Sequence, residues 1–107
     1  MKLALAQLLV EGGEAERNLE RAQKMIEKAV AQNADIILLP ETLDFAWTHP
    51  SALIENQPIP GIYSDFFCEL AKKHQLMICL GLSEKVMDKN YNSAILIDSN
   101  GEIILKH

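Results

Sequence analysis

Hydrophobic positions along the chain alternate between two spacings. Leu3 to Val10 is apolar at nearly every position, the pattern of a strand covered on both faces in a parallel sheet. Glu11-Gly12-Gly13 ends that run. From Glu14 to Gln32 the spacing becomes three and four: Ala15, Leu19, Ala22, Met25, Ile26, Ala29 and Val30 share one side, and Glu16, Arg17, Glu20, Arg21, Lys24 and Lys28 fall opposite. This predicts an amphipathic helix. Glu14 and Glu16 suit the positive end of its dipole, and Asn33 is a stop signal. Asp35 to Leu39 reads as a second buried strand, which makes a right-handed parallel crossover with the first.

Thr42 to Gly61 is a long irregular passage containing Pro50, Pro58 and Pro60. Loops of that length in compact domains are uncommon and often functional. Tyr63 to His74 predicts a helix with Phe66, Phe67, Leu70 and Ala71 on its apolar side, and Leu76 to Leu82 a third strand. The polar stretch Ser83 to Asn90 reads as a loop and Tyr91 to Ile97 as a fourth strand. Asp98-Ser99-Asn100-Gly101 is a turn, since Asn-Gly tolerates positive φ. Glu102 to Lys106 then returns as a hairpin partner. The expected class is α/β, in the order β-α-β-α-β-β-β, within one domain spanning residues 1–107.

Composition narrows the classes of function. Of 107 residues, 49% are apolar and 23% charged, with a net charge of -5, so a core can form and no basic surface is available for nucleic acid. The opening MKLALAQLLVEGG imitates a signal peptide, but Gln7 interrupts the apolar run and Glu11 closes it, so it is read as a strand. No segment is long enough to span a bilayer. Cys68 and Cys79 form no C-x-x-C pair, which argues against zinc and for free thiols in a reducing cytoplasm.

Local motifs leave one candidate. Gly12-Gly13 lies between strand and helix, but it lacks both G-x-G-x-x-G and a following Lys-Ser/Thr, so a flexible turn is expected in place of a phosphate loop. His49, His74 and His107 have no ligand-type residue at helical spacing, so no metal and no cofactor is expected. Glu41 differs. It follows Pro40 at the carboxyl end of the second strand, where ligands bind in α/β sheets, and the proline holds its direction. A carboxylate there serves as a binding or catalytic group, or as a solvated loop residue. With Asp44 it could also hold a divalent cation in a small non-catalytic binding or regulatory domain.

Several segments, in order, resemble the nitrilase superfamily of carbon–nitrogen hydrolases. Leu3-Ala4-Leu5-Ala6-Gln7 is similar to its opening strand. Ala34-Asp35 running into Ile36-Ile37-Leu38-Leu39-Pro40-Glu41 resembles its apolar-Pro-Glu signature. Ala71-Lys72-Lys73-His74 leading to Ile78-Cys79-Leu80-Gly81, and Tyr91-Asn92-Ser93-Ala94 with the turn at Gly101, resemble its later strand and hairpin.

The resemblance covers the whole chain and implies the N-terminal part of an α-β-β-α four-layer sandwich. It implies hydrolysis of an amide, nitrile or carbamoyl C–N bond by a Glu–Lys–Cys set, in which Glu41 matches the general base. His107 matches the aromatic place before the family's Arg-Lys, so Lys106 falls short of the catalytic lysine. Cys79 precedes that lysine position and is followed by Leu80-Gly81 in place of an aromatic and an acidic residue. It is therefore expected to be a core thiol, and Cys68 an apolar-face helix residue. The lysine and the nucleophile are expected beyond residue 107, leaving this chain an inactive fragment. The full-length protein would be a homo-oligomer acting on a small-molecule substrate. Phe45, Trp47 and His49 are candidate pocket residues.

Overall fold

In the computed structural model, which describes all 107 residues, the elements run β1 (Leu3–Leu5), α1 (Ala15–Ala31), β2 (Ile36–Leu38), α2 (Ser51–Ile54), α3 (Ile62–His74), β3 (Met77–Val86), β4 (Lys89–Ile97) and β5 (Ile103–Lys106). The strands form one sheet in sequence order. β1, β2 and β3 are parallel neighbours; β4 and β5 add antiparallel.

One face of the sheet carries the core. Ile37, Ile78, Leu80, Leu82, Ile95 and Ile97 pack against Leu19, Ala22, Ile26 and Ala29 of α1 and against Phe67, Leu70 and Ala71 of α3. The helix stop at Asn33 is real: its φ is 60°, and the Asn33 and Ala34 N–H groups return to the carbonyls of Val30 and Ala29, each at 3.0 Å. Such a left-handed turn satisfies the carbonyls orphaned at a helix end.

The opposite face has no covering layer. Leu3, Leu5, Leu38 and Leu105 are 54%, 68%, 43% and 65% exposed, far above the core. The half-buried Met77, Cys79 and Leu96 lie between them by register. No helix is long and apolar enough to cross a membrane.

Three expectations change. The first strand pairs only over Leu3–Leu5, with one further bond from the Ala6 N–H to Leu38 O at 3.0 Å. Beyond it β2 ends, so Leu8 and Val10 pack on the core as unpaired chain. The passage from Thr42 to Gly61 contains the short helix α2.

The polar stretch Ser83–Asn90 is not a loop but the end of a long β3–β4 hairpin, paired out to Val86 and Lys89. Its two buried polar side chains are partnered: Ser83 Oγ donates to Asp44 at 2.8 Å, and Glu84 accepts from Ser93 Oγ and from Lys106 Nζ, each at 2.7 Å. Polarity misreads as a loop when hydrogen bonds offset its burial.

Candidate active site

Pro40 ends β2, and the turn that follows stays attached to β3. The Leu39 N–H donates to Cys79 O at 2.8 Å, the Gly81 N–H to Pro40 O at 3.1 Å, and the Leu43 N–H to Gly81 O at 2.9 Å. Glu41 is thus flanked by two backbone bonds to one residue of the neighbouring strand. That residue must be glycine: a Cβ there would lie 2.8 Å from Glu41 Cα and 3.1 Å from Thr42 N, well inside van der Waals contact with backbone.

Asp44 anchors the same turn from within. It is fully buried. Its carboxylate accepts from the Ser83 N–H at 3.1 Å, from Ser83 Oγ at 2.8 Å and from the Phe45 N–H at 3.0 Å. Asn18 of α1, also fully buried, donates to the carbonyls of Asp44 and Glu11 at 2.9 and 2.8 Å. Both Asp44 oxygens are engaged, so Asp44 does not join Glu41 as a cation pair. No three His, Cys, Asp or Glu side chains converge as metal ligands would.

Burial lifts the Asp44 carboxyl above its ordinary value of 3.8, partly offset by the Ser83 and Phe45 donors. Its folded-state pKa is therefore raised. The stability it contributes is full below the unfolded value and fades as pH rises through the folded one. The stability of wild type relative to Asp44→Asn should then decrease as pH rises above the unfolded value of about 3.9. Asp44→Ala should cost about 3 kcal/mol by leaving buried donors unpaired. Paired chemical-unfolding curves check both; a wild-type advantage over Asp44→Asn that grows with pH overturns the sign.

Glu41 itself is exposed, and its Oε1 accepts a hydrogen bond from Asn92 Nδ2 of β4. It opens into a depression of about 430 Å³ lined by Leu38, Leu39, Cys79, Leu80, Gly81, Asn92, Ala94 and His107. This places Glu41 on the uncovered side of the sheet. Cys79 is half-buried there, so it is not the core thiol expected of it. Cys68 does pack against the core, and burial with Asp65, Glu69 and Asp98 nearby pushes its thiol up, away from nucleophilic use.

His107 reaches the depression because its backbone pairs with Ala94 in both directions at 2.9 Å. Lys106 turns to the opposite, helix-covered side and binds the buried Glu84. It does not stand with Glu41.

The three loop candidates separate. Phe45 is buried, with its ring edge-on to Tyr63 at 5.6 Å. His49 lies over Gly12 and Gly13, where a Cβ at Gly12 would meet its ring at 2.5 Å. The two glycines therefore make room for a histidine. His49 is exposed but its ring is held by Ser51, whereas Trp47 is open and unheld, 73% exposed, beside Thr42 and Asn92. The sequence reading assigned no role to Asn92. The signal for it is a polar side chain two positions before Ala94, the register partner of the Gly81 that Glu41 packs on.

The carbon-nitrogen hydrolase family model matches residues 2–107. The chain belongs to the carbon-nitrogen hydrolase family. Among the relatives of this hydrolase segment, a nitrilase of Pyrococcus abyssi is 31% identical over 107 residues, covering 96% of this chain and 41% of the relative. An omega-amidase of Bos taurus is 32% identical, covering 99% and 38%.

Among solved structures, an amidase from Nesterenkonia sp. superposes with a TM-score of 0.84 at 20% identity, over 100% of this chain and 41% of that one. An N-terminal amidase gives 0.85 at 21% identity, over 100% and 27%. The fold is the N-terminal part of these amidases. The chain spans about two fifths or less of the length of such relatives.

Proposed function

We propose that this segment supplies the general base of a hydrolase that cleaves a non-peptide C–N bond in a small amide, nitrile or carbamoyl compound. The observation carrying this reading is the Glu41 carboxylate, held by the Gly81 contacts and by Asn92 on the uncovered sheet face. A thiol with a pKa of about 8.5 needs such a positioned base.

In this reading a cysteine sulfur adds to the substrate carbon while Glu41 takes its proton. For an amide or carbamoyl group, the C–N bond breaks as the departing nitrogen takes the proton from Glu41, leaving a thioester; a nitrile gives a thioimidate, which adds water and loses ammonia to reach the same thioester. Glu41 then takes a proton from water, whose oxygen adds to the thioester carbon and releases the acid and the thiol. The cysteine and the charge-stabilising lysine come from positions beyond residue 107. β5 supports the lysine's placement: His107 faces the Glu41 depression, and strand alternation sends a residue two positions further to the same face. Assembly of the complete enzyme into a homo-oligomer belongs to the same proposal.

The test is a direct assay of the complete enzyme for release of ammonia from short primary amides and nitriles and from carbamoyl compounds. Turnover of one class supports the reading; none in any class, from a folded protein, overturns it.

A further inference from the structure

We propose that Thr42, with Trp47, Leu53 and Tyr91, forms a substrate subsite for short uncharged amides that carry a hydroxyl or carbonyl oxygen. The proposal rests on the hydrolase reading of Glu41 and extends it to the substrate's acyl chain.

Thr42 follows the base directly and is 3% exposed, yet its Oγ1 has no hydrogen-bond partner. Buried hydroxyls are nearly always partnered, and an orphan calls for an explanation. The backbone adds to the anomaly. Thr42 has φ 41°, in the left-handed region that a β-branched residue rarely occupies. Such strain persists where the surroundings enforce it and gathers at ligand sites. Here it is enforced by the bonds from Pro40 and Leu43 to Gly81.

Thr42 lines a pocket of about 120 Å³ shared with Trp47, Ala52, Leu53, Asn90, Tyr91 and Asn92. That volume holds about four groups of water size, at ~30 Å³ each. Asn92 is the side chain that holds Glu41, so the pocket adjoins the base. Ser83 and Asn90 also border it, but the Ser83 hydroxyl is spent on Asp44 and Asn90 Oδ1 accepts from Asn56, which leaves Thr42 Oγ1 as the buried hydroxyl without a partner. No lining residue is charged, so a carboxylate or ammonium would enter without a counter-charge, at high desolvation cost. Trp47, Leu53 and Tyr91, exposed at 73%, 61% and 48%, supply apolar walls that a short chain would cover. A three- or four-carbon amide with one neutral oxygen fits the size, the polarity and the buried unpartnered hydroxyl.

The test compares 3-hydroxypropionamide with butyramide, which differ by a hydroxyl in place of a methyl, on the complete enzyme. The ratio of their kcat/KM values should fall about tenfold or more in Thr42→Val, the loss of one hydrogen bond. Thr42→Ser, which keeps the hydroxyl, should hold the ratio within about threefold. A ratio that moves less than about twofold in Thr42→Val, or that falls equally in Thr42→Ser, overturns the subsite.

Binding of 3-hydroxypropionamide to the Glu41→Gln enzyme, followed by the Trp47 indole NMR resonance, separates the two readings. If no amide is turned over but this shift occurs and is lost with Thr42→Val, the subsite stands and the hydrolase reading falls. Turnover with an unmoved ratio overturns the subsite alone. Neither turnover nor binding overturns both.

Discussion

Replacing Glu41 by Gln in the complete enzyme is expected to lower kcat by about 10³-fold while leaving the melting temperature within about 2 °C. The two halves of this expectation come from different atoms. The carboxylate is exposed and makes one side-chain bond, to Asn92, and a Gln amide oxygen accepts that bond equally well. The turn is held by the backbone of Leu39, Pro40 and Leu43 and by the Asp44 carboxylate, none of which the substitution touches. On the proposed reading, what is lost is the ability to take a proton, from the thiol and then from water. Steady-state kinetics with a thermal melt on the same preparation measures both quantities. A fall of less than about tenfold would remove Glu41 from the proton-transfer steps. A large fall accompanied by unfolding would assign it to structure.

The second large effect concerns the face opposite the helices. The 107-residue chain on its own is expected to self-associate, with an average mass well above its 12.0 kDa. Leu5, Leu38 and Leu105 should drive it, since each is worth about 1.5–3 kcal/mol when fully buried. In a four-layer sandwich this face lies against a second sheet; a lone chain offers it to any apolar partner, including another copy. Replacing Leu5, Leu38 and Leu105 together by Lys should return the chain to a monomer, because all three point away from the core. Sedimentation of the two chains side by side decides the matter. A monodisperse, cooperatively melting monomer from the unaltered chain would overturn the expectation.

Periodicity made most of the architecture legible. The helical stripe from Ala15 to Val30 and the apolar runs around Ile37 and Leu80 are strong local signals, and they gave the element types and their order. Pairing limits were not legible. Leu3 to Val10 looks uniform, but the strand stops where β2 turns away at Pro40, and only the neighbour knows that. Ser83 and Glu84 read as loop residues because their partners, Asp44, Ser93 and Lys106, lie between 9 and 39 residues distant.

The site followed the same division. Glu41 stood out by its place after Pro40. Asn92 and Thr42 come beside Glu41 and into one pocket only when β4 and the turn are folded together. The aromatic loop residues showed the converse, since Phe45 and His49 proved to be packing groups.

The bonds that tie residues 39 to 44 to Cys79, Gly81 and Ser83 have a consequence for variation within the family. They end at Asp44, ahead of the stretch from Trp47 to Leu53 that walls the Thr42 pocket. Insertions and exchanges in that stretch can reshape the pocket without disturbing where the Glu41 carboxylate stands. In the proposed subsite Thr42 belongs to the tied piece and Trp47 and Leu53 to the piece beyond it, so exchanges at Trp47 and Leu53 alter the pocket wall while Glu41 and Thr42 keep their places.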